Sequence, residues 1–485
     1  MNVSRVSTED YAKWTLGQRG KNKPNSKPIQ TQSNPIKAKT NPIQSQYKPK
    51  QSQFPIILVS LNGFCIISFY IIPDNFLWRV YEMAEAPRAN AVVAQSGGPT
   101  AVINASLVGV IEEANKHPEI QDLYGSLHAV VGMAKDQFID LKKVSANELE
   151  KVAASPCSAL GSSRDKPDEE YCARILEVFR KRNIRYFFYI GGNDSANTAH
   201  ILNRMADDID FDIRAFHIPK TVDNDLLVTD HCPGFGTAAK FEACALMGDD
   251  LDNRTLPGVK VDVIMGRHAG FLTAATVLGK QRDDDGPHLV YLPERGVSID
   301  KFLGDVEGVL KKLGRCVVTA SEGICDADGV TWAKKLAEAA ETDAHGNIQL
   351  SGTGALADFL AGQVKSELGA KRVRADTFGY LQRSFAGLQS EVDAREARWC
   401  GRHAVQYAME EDNGSVAIRR LGNGADYKVE LFRTELKNVA EKTKSMPDEF
   451  INAEGNGVTD AFIEYALPLT GGLPKTHFLG NYPKI

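Results

Sequence analysis

The sequence predicts an α/β protein with two Rossmann-like, three-layer domains, mainly parallel sheets, and a ligand site in the cleft between the domains. Three observations support this prediction. The chain has 485 residues, which is enough for more than one domain. Its hydrophobic content of 43% and charged content of 25% are ordinary for a soluble globular protein. Finally, short apolar runs are followed repeatedly by glycine or polar residues and then by a segment with helical periodicity.

Five apolar runs carry this pattern through the middle of the chain. Each has the length and composition of a buried strand, and the polar residues directly after it mark where the strand would end. Because strands that alternate with helices pair in parallel, their carboxyl ends meet at one edge of a sheet, where ligands collect. The runs and the segments that follow them are 91–94 with 96–100, 185–190 with 191–195, 213–218 with 219–225, 261–265 with 266–270, and 316–320 with 321–323.

The first 82 residues differ in composition from the rest of the chain. Residues 1–53 are rich in Lys, Asn, Gln, Ser and Pro, so we expect a disordered basic tail. Residues 54–82 contain an uncharged apolar run at 56–72, which is at the lower limit for spanning a bilayer. We favour translation that starts at Met83 over a weak membrane anchor, and a genuine but soluble tail is the third alternative.

The charge distribution excludes one class of partner. Residues 1–53 contain 10 Lys or Arg against 2 acidic residues, whereas the rest of the chain carries a net charge of −13. An acidic body gives no electrostatic basis for binding nucleic acid, so we expect no such partner. The eight cysteines include no CxxC pair, which is typical of reduced thiols in a cytoplasmic protein.

Several residues that follow the apolar runs suit the binding of phosphate groups. Backbone N–H groups of the glycine turns at 97–98 and 191–192 can approach phosphate oxygens closely at the start of the following helices. The guanidinium groups of Arg267, Arg374 and Arg383 offer forked hydrogen-bond donors to a second phosphate. The sequence therefore predicts a site for two phosphate-bearing ligands.

Two aspartates lie between these phosphate-binding groups. If their segment is extended, Asp223 and Asp225 share one face, so one can accept a proton while the other helps to hold a metal ion. Thr221 adds a hydroxyl at the same edge. Taken alone, each feature has an ordinary structural explanation, because loop aspartates often form turns and cap helices. Together they favour transfer of a phosphoryl group from a phosphoanhydride to an alcohol of a phosphorylated substrate.

Five motifs between about residue 91 and residue 383 resemble those of the phosphofructokinase family. They are Ser-Gly-Gly at 96–98, Gly-Gly-Asn-Asp-Ser at 191–195, Pro-Lys-Thr-Val-Asp-Asn-Asp at 219–225, Met-Gly-Arg at 265–267 and Gly-Tyr-Leu-Gln-Arg at 379–383. The resemblance implies that Asp223 is the general base for the 1-hydroxyl of fructose 6-phosphate. It also implies that this substrate is bound by Thr221, Val222, Asp223, Met265, Gly266, Arg267, Glu322, Arg374, Tyr380, Leu381, Gln382 and Arg383.

Two positions indicate pyrophosphate rather than ATP as the donor. Members of the family that use ATP have Gly where this chain has Asp194 and again where it has Lys220. Asp194 opposes the α-phosphate of a nucleotide by bulk and by charge, whereas Lys220 supplies a cation to a diphosphate. Tyr380, where ATP users have His, points the same way. The resemblance assigns catalytic roles to Asp223, Asp194 and Lys220, and it assigns pyrophosphate binding to Gly97, Gly98, Arg164, Asp194 and Lys220.

The resemblance also implies Mg²⁺ as the cofactor, held by Asn193 and Asp225. The family usually has Asp at the first of these positions. Asn193 keeps a carbonyl oxygen but lacks the charge, so we expect Asp225 and pyrophosphate itself to contribute more of the metal binding. The family also has an Arg shortly before Met265, where Lys260 is the nearest cation in this chain.

The resemblance therefore implies reversible, Mg²⁺-dependent transfer from pyrophosphate to O1 of fructose 6-phosphate, a reaction of glycolysis and gluconeogenesis, by a cytoplasmic homodimer or homotetramer. Residues 84–233 with part of 384–440 would bind the donor, and residues 234–383 with part of 440–485 the sugar phosphate. Three alternatives stay open: an ATP-dependent 6-phosphofructokinase, sedoheptulose 7-phosphate as the main acceptor, and a non-catalytic regulatory subunit. No interaction with a membrane is expected.

Overall fold

The computed structural model describes residues 86–339, 354–440 and 443–479, all of which belong to the compact unit Tyr81–Ile485. The predicted basic tail and apolar segment at 1–82 lie outside the described residues. Within the described ranges, no helix is both long and apolar enough to cross a membrane.

Eleven strands and twelve α-helices occur in the part of the chain that the structure describes. The strands are β1 (Ala89–Gln95), β2 (Ile120–Ser126), β3 (Phe138–Asp140), β4 (Ile184–Gly191), β5 (Arg214–Pro219), β6 (Val259–Ile264), β7 (Leu289–Tyr291), β8 (Cys316–Ser321), β9 (Val373–Thr377), β10 (Asn413–Gly422) and β11 (Lys428–Thr434). The helices are α1 (Ile103–Ala114), α2 (Val130–Ala134), α3 (Ala146–Ala153), α4 (Glu169–Lys181), α5 (Asn193–Asp208), α6 (Phe235–Thr255), α7 (Phe271–Ala275), α8 (Ile299–Leu313), α9 (Trp332–Ala339), α10 (Ala355–Glu367), α11 (Glu391–Glu410) and α12 (Asp460–Ala466).

The strands form two sheets. The larger has the order β11-β10-β5-β4-β1-β2-β3, and it is parallel from β10 to β2 with an antiparallel strand at each edge. The smaller has the order β7-β8-β6-β9 and is parallel throughout. These sheets confirm the predicted α/β class with mainly parallel pairing.

The strand order of the larger sheet defines where a ligand can enter. The chain passes from β1 to β2 on one side and later to β4 on the other, so a crevice opens between the carboxyl ends of β1 and β4. The turn at Gly97 and Gly98 follows β1, and Gly191 ends β4. The two glycine turns therefore lie side by side at this crevice.

Strand β4 shows why the larger sheet is buried on both faces. Tyr186 and Phe188 pack into the layer that contains α1 and α11, whereas Phe187 and Tyr189 pack into the layer that contains α4 and α5. Successive side chains of a strand point to opposite faces, so a strand covered on both sides becomes a continuous apolar run. Full burial of such side chains contributes about 1.5–3 kcal/mol each to folding.

A late helix packs directly on an early one. A Cβ atom on Gly109 of α1 would lie 2.1 Å from the carbonyl oxygen of Arg398, and one on Gly401 of α11 would lie 2.1 Å from that of Ser106. Both glycines are therefore required by the close approach of α1 and α11. Strand β10, which follows α11, joins the larger sheet beside β5. Residues from 391 to 434 thus complete the sheet that begins at residue 89.

Candidate active site

The turn after β1 is closed by a neighbouring loop. Gly97 has a φ of +74°, a conformation that glycine adopts without strain. Its N–H donates to the carbonyl oxygen of Ser163 at 3.0 Å, and the Ser162 hydroxyl donates to the Gly97 carbonyl oxygen at 2.7 Å. The same loop continues to Arg164. The glycine turn and the loop at 162–164 therefore form one unit.

Lys220 reaches this turn from the end of β5. Its side chain is buried, and Nζ donates to the Gly98 carbonyl oxygen at 2.8 Å. A Cβ atom on Gly97 would lie 3.2 Å from Nζ, so the turn and the ammonium are in contact. Burial lowers the pKa of Lys220 to about 8, and the positive charges of Arg383 and Arg164 act in the same direction. The ammonium is thus a preformed cation that a phosphate can stabilise.

Arg383 reaches the same turn from the smaller sheet. A Cβ atom on Gly98 would lie 3.0 Å from Cζ of Arg383, so the absence of a side chain at Gly98 makes room for the guanidinium. The guanidinium lies 4.4 Å from the centre of the Tyr380 ring. Burial lowers the pKa of Arg383, and the nearby Asp223 carboxylate opposes that shift. The segment after β9 therefore meets the carboxyl end of β1.

The segment that carries the two aspartates is not extended, so the condition under which their spacing would place both on one face of a strand is not met. Asn224 between them has a φ of +59° and is fully buried. Its Oδ1 accepts from the N–H of Cys232 at 2.9 Å, and its Nδ2 donates to the hydroxyl of Tyr465 at 2.7 Å. These two bonds hold a left-handed turn that an isolated chain would rarely adopt. Asn224 therefore positions Asp223 and Asp225.

Asp223 is a carboxylate of the candidate site that could accept a proton. Burial raises the pKa of Asp223 to about 6, Asp225 and Glu322 add to the shift, and Arg383 opposes it. Its Oδ1 is buried, and no donor among the described residues bonds to it. An orphaned carboxylate oxygen next to cations is unusual in a structural aspartate, and it leaves this atom available to a substrate hydroxyl.

The backbone of Asp225 is hydrogen-bonded to the C-terminal part of the chain. Its carbonyl oxygen accepts from the N–H of Lys444 at 2.7 Å. Burial raises the pKa of the Asp225 carboxyl, whereas the Thr221 hydroxyl and the charges of Lys444 and Lys220 oppose the shift. The carboxylates of Asp223 and Asp225 interact with each other, so together they form a small centre of negative charge among the cations.

Helix α5 begins directly after the glycine turn at the end of β4. Asn193 and Asp194 form its first turn, and the N–H of Asp194 donates to Oδ1 of Asn193 at 2.9 Å. The Asp194 side chain is exposed, and its Oδ2 lies 3.0 Å from Nζ of Lys166. Asp194 therefore places an acidic group at the positive end of the helix, where a phosphate would otherwise be favoured.

The loops after β6 and β8 pack closely together. Gly266 has a φ of +144°, and its carbonyl oxygen accepts from the Ser321 hydroxyl. A Cβ atom on Gly323 would lie 2.1 Å from the carbonyl oxygen of Arg267, so only glycine fits there. Met265 is buried, whereas the Arg267 side chain is exposed. The charge of Glu322 acts on Asp223, which places this loop pair at the same site.

The remaining predicted sugar-phosphate residues differ in their surroundings. Tyr380 and Leu381 are more than half exposed, at 53% and 61%, whereas Gln382 is buried and its Nε2 donates to the Gly379 carbonyl oxygen at 3.0 Å. Val222 is buried in the apolar cluster around α6 and α7, so only its backbone is available to a ligand.

Arg374 lies apart from the other predicted site residues of its own chain. It pairs with Lys260 near the start of β9 and β6, whereas the site lies beyond the carboxyl ends of these strands. Four residues separate Lys260 from the end of β6, or about 13 Å along a strand. The Arg374 side chain is exposed, and its Nη1 donates to the carbonyl oxygen of Val373.

Four residues at the site were absent from the sequence-based prediction. Asn224, between two aspartates, could have been identified, because Asn adopts positive φ more readily than most residues. Lys166 follows Arg164 by two residues and could have been included as part of the same basic loop. Lys444 and Tyr465 are more than 200 residues from the aspartates that they support, and no local pattern indicates their contacts.

Oxygen ligands suitable for a hard divalent cation are present at the centre of this site. The Asp225 carboxylate and the Oδ1 of Asp223, which accepts no hydrogen bond from the described residues, are two such oxygens, and the Oδ1 of Asn193 accepts from the N–H of Asp194. Such an ion would need further oxygens from a phosphate ligand or from water. The chemistry of the donor set therefore fits an ion that binds together with a phosphorylated substrate.

Comparisons with known proteins place these motifs in context. A sequence model described as phosphofructokinase matches residues 90–408. A pyrophosphate–fructose 6-phosphate 1-phosphotransferase of Rhodospirillum rubrum is 54% identical over 394 residues, covering 81% of this chain and 97% of that protein. Its namesake from Xanthomonas campestris pv. campestris is 40% identical, covering 81% and 95%. The crystal structure of pyrophosphate-dependent phosphofructokinase from Nitrosospira multiformis aligns with a TM-score of 0.71 at 34% identity, covering 82% and 95%.

Proposed function

This chain belongs to the phosphofructokinase family, and we propose that it transfers a phosphoryl group from pyrophosphate to O1 of fructose 6-phosphate, giving fructose 1,6-bisphosphate and phosphate. One observation carries the choice of donor. The ammonium of Lys220 contacts the Gly97–Gly98 turn, at the point where a bound phosphate would meet the backbone N–H groups. A cation in contact with that turn neutralises part of the charge of a short, highly charged donor such as pyrophosphate.

Asp223 is the general base of the proposed reaction. Its pKa of about 6 leaves it ionised at neutral pH, and it is a stronger base than an ordinary aspartate. The free Oδ1 can accept the proton of the sugar 1-hydroxyl as that oxygen attacks the nearer phosphorus of pyrophosphate. The bond from that phosphorus to the bridging oxygen then breaks, and phosphate leaves. A positioned base of this kind contributes about 10²–10⁴ to the rate.

The cations at the turn stabilise the charge that the transfer displaces. Lys220 and Arg164 lie on the donor side, and Arg383 lies between the turn and Asp223. Because these groups are held before any substrate binds, little reorganisation is needed as the charge moves from the bridging oxygen to the leaving phosphate. The reaction replaces one phosphoanhydride bond by one phosphate ester bond, and we propose that it is reversible.

Asp194 supports the exclusion of ATP. Its carboxylate lies at the amino end of α5 and forms an ion pair with Lys166. A nucleotide would have to place its α-phosphate beyond the two phosphates that the turn accommodates, close to this acidic group. Pyrophosphate ends before that point. We therefore infer that Lys166 and Asp194 line the far end of the donor pocket.

Family members depend in general on a divalent metal ion, and we propose Mg²⁺ for this chain. Asp225 and Asn193 would hold it, with the pyrophosphate oxygens completing the coordination. When bound, the ion neutralises charge on the donor phosphates. The hydrogen bond from the N–H of Lys444 to the carbonyl oxygen of Asp225 fixes the backbone that carries this carboxylate.

The acceptor would bind at the loops of the smaller sheet. Arg267 and Arg383 are suited to the 6-phosphate, while Glu322 and the backbone of Met265 and Gly266 are suited to the sugar hydroxyls. Arg374 is too far from this group to serve its own chain's sugar phosphate. We propose that it completes the site of a second copy of the chain, in a homodimer or homotetramer.

The decisive experiment measures initial rates with each donor and each acceptor. Purified protein is assayed in the presence of Mg²⁺ with pyrophosphate or ATP, and with fructose 6-phosphate or sedoheptulose 7-phosphate. We expect pyrophosphate and fructose 6-phosphate to give equal amounts of fructose 1,6-bisphosphate and phosphate. Equal rates with ATP would overturn the choice of donor, and a faster reaction with sedoheptulose 7-phosphate would overturn the choice of acceptor. The Asp223→Asn variant serves as the background control.

A further inference from the structure

Three carboxylates meet on the smaller sheet at a place apart from the active site. They belong to Asp249 on α6, Asp262 on β6 and Asp376 on β9. One oxygen of each lies within 4.8 Å of those of the other two. Asp262 and Asp376 are directly paired across parallel strands, so their side chains point to the same face. Asp262 lies three residues before Met265, or about 10 Å along a strand from the loop that enters the active site.

One lysine lies at this cluster but does not satisfy all three carboxylates. Nζ of Lys260 is 2.8 Å from Oδ1 of Asp249 and also contacts Asp376, whereas it remains 4.0 Å from Oδ1 of Asp262. A single ammonium therefore reaches the two outer carboxylates only. With all four groups ionised, the cluster keeps two negative charges in excess.

Two inner carboxyls of this region accept no hydrogen bond from the described residues. Asp262 is fully buried, and no donor among the described residues bonds to either of its oxygens. Glu242, two turns before Asp249 on α6, is also fully buried, and both of its oxygens likewise lack a donor in the part of the chain that the structure describes. Burial raises the pKa of Glu242, and the nearby Asp262 carboxyl adds to this shift. Buried carboxyls without partners are rare and costly, so a cation bound beside Asp262 would remove an unfavourable contribution to the folded state.

We propose that Asp249, Asp262 and Asp376 form a divalent cation site, separate from the active site, that fastens the edge strand β9 to β6 and α6. Three carboxylates are hard oxygen ligands of the kind that Ca²⁺, Mn²⁺ and Mg²⁺ prefer. Asp376 is 63% exposed and gives the ion a path from solvent. Lys260 leaves the cluster as the ion enters, because its side chain is long and flexible. The site binds the ion without any substrate.

Binding of Mn²⁺ to the full-length, chelator-treated protein tests this proposal. Free and bound Mn²⁺ are measured by electron paramagnetic resonance without pyrophosphate or sugar phosphate. We expect one ion per chain in the wild type, and loss of that ion in Asp262→Asn and in Asp376→Asn. The second variant changes an exposed side chain, so its folding is not at risk. Asp252→Asn, an exposed aspartate on the same helix that pairs with Arg372, is the matched control and keeps the ion.

Lys260→Met provides a prediction of opposite sign. Removing the competing ammonium should tighten Mn²⁺ binding by about 10-fold or more, because a like charge near 4 Å disfavours the ion. Ca²⁺ should also raise the Tm of the wild type but not that of Asp376→Asn. The proposal is wrong if the wild type and Asp376→Asn bind the same number of Mn²⁺ ions. It is also wrong if Lys260→Met binds Mn²⁺ more weakly than the wild type. Asp225→Asn should keep this ion, which separates the result from the metal site of the proposed reaction.

Discussion

The two sheets prepare their halves of the site to different degrees. On the larger sheet, Lys220 is 4% exposed and its ammonium is bonded to the Gly98 carbonyl. On the smaller sheet, the Arg267 side chain is exposed and Tyr380 is 53% exposed. The donor half is thus held by short contacts to the backbone, whereas the acceptor half depends on long side chains at the surface. Binding of the sugar phosphate must order those side chains, which costs conformational entropy.

This difference has a consequence for the effects of substitution. A cation that is buried and fixed before binding acts at full strength on a phosphate, whereas water and salt screen an exposed one. Losses on the donor side should therefore exceed those on the acceptor side. Asp223, the proposed base, lies near charged groups of both halves and should show the largest loss of all.

Asp223→Asn should lower kcat by about 10²–10⁴, the range for loss of a positioned base, while the KM for fructose 6-phosphate changes little. Steady-state rates with both substrates varied will measure this effect. Asp212→Asn, an exposed aspartate just before β5, is a control that should keep wild-type rates. A kcat for Asp223→Asn within a few-fold of wild type would remove this residue from the mechanism.

Lys220→Met should lower kcat/KM for pyrophosphate by about 10- to 100-fold, since hydrogen bonds to charged groups are worth about 1.5–3 kcal/mol. The KM for fructose 6-phosphate should stay near that of the wild type. This result would show that Lys220 serves the donor half alone. A rise in the KM for the sugar phosphate of equal size would contradict the division between the two halves.

The pH profile of kcat/KM for pyrophosphate should have an acid limb from Asp223 and an alkaline limb from Lys220. As pH falls through about 6, Asp223 becomes protonated and loses its function as a base, so kcat/KM for pyrophosphate falls about tenfold per unit. As pH rises through about 8, Lys220 loses its charge and the same parameter falls again. Lys220→Arg keeps the charge at high pH and should remove the alkaline limb. If the variant keeps that limb, another group or the substrate itself is its source.

Arg267→Ala should raise the KM for fructose 6-phosphate by about 3- to 10-fold, a smaller effect because solvent screens an exposed guanidinium. The KM for pyrophosphate is the internal reference and should not change. The rise in the KM for fructose 6-phosphate should be smaller than the fall in kcat/KM for pyrophosphate in Lys220→Met. A larger rise would mean that the bound sugar phosphate buries Arg267 and excludes water from it.

Asp194→Gly should give the smallest change, a rate with ATP that rises by a few-fold. Repulsion between like charges at roughly 4 Å is about 1 kcal/mol in water, and Asp194 is exposed and paired with Lys166. Asn193→Asp is the control, which should alter the dependence on Mg²⁺ but not the choice of donor. Initial rates with both donors decide the matter, and an unchanged ATP rate in Asp194→Gly would contradict the role of this side chain.

Five of the parallel strands could be predicted from the sequence because their pattern is local. All five predicted runs correspond to strands β1, β4, β5, β6 and β8, since strands buried on both faces are continuous apolar runs that end in polar turns. Strands β2, β10 and β11 were not predicted, because parts of each are exposed and their apolar pattern is interrupted. Their place in the sheet depends on pairing partners that are distant in the chain.

The order of motifs determined which groups meet at the site. Gly97, Lys220 and Asp223 each follow a strand of the same parallel sheet, so their approach follows from the geometry of that sheet. The sequence by itself thus determined the fold class, and it placed the Gly97–Gly98 turn and the two aspartates at the proposed site.

Only the tertiary structure decided the conformation of the aspartate segment and the pKa values of Asp223 and Lys220. The left-handed turn at Asn224 depends on Tyr465, and the position of Asp225 depends on the backbone of Lys444. The pKa values of Asp223 and Lys220 move towards neutrality because both side chains are buried among charges from several segments. Contacts over more than 200 residues and the exclusion of water arise only when the chain is folded, so no local pattern of residues can specify them.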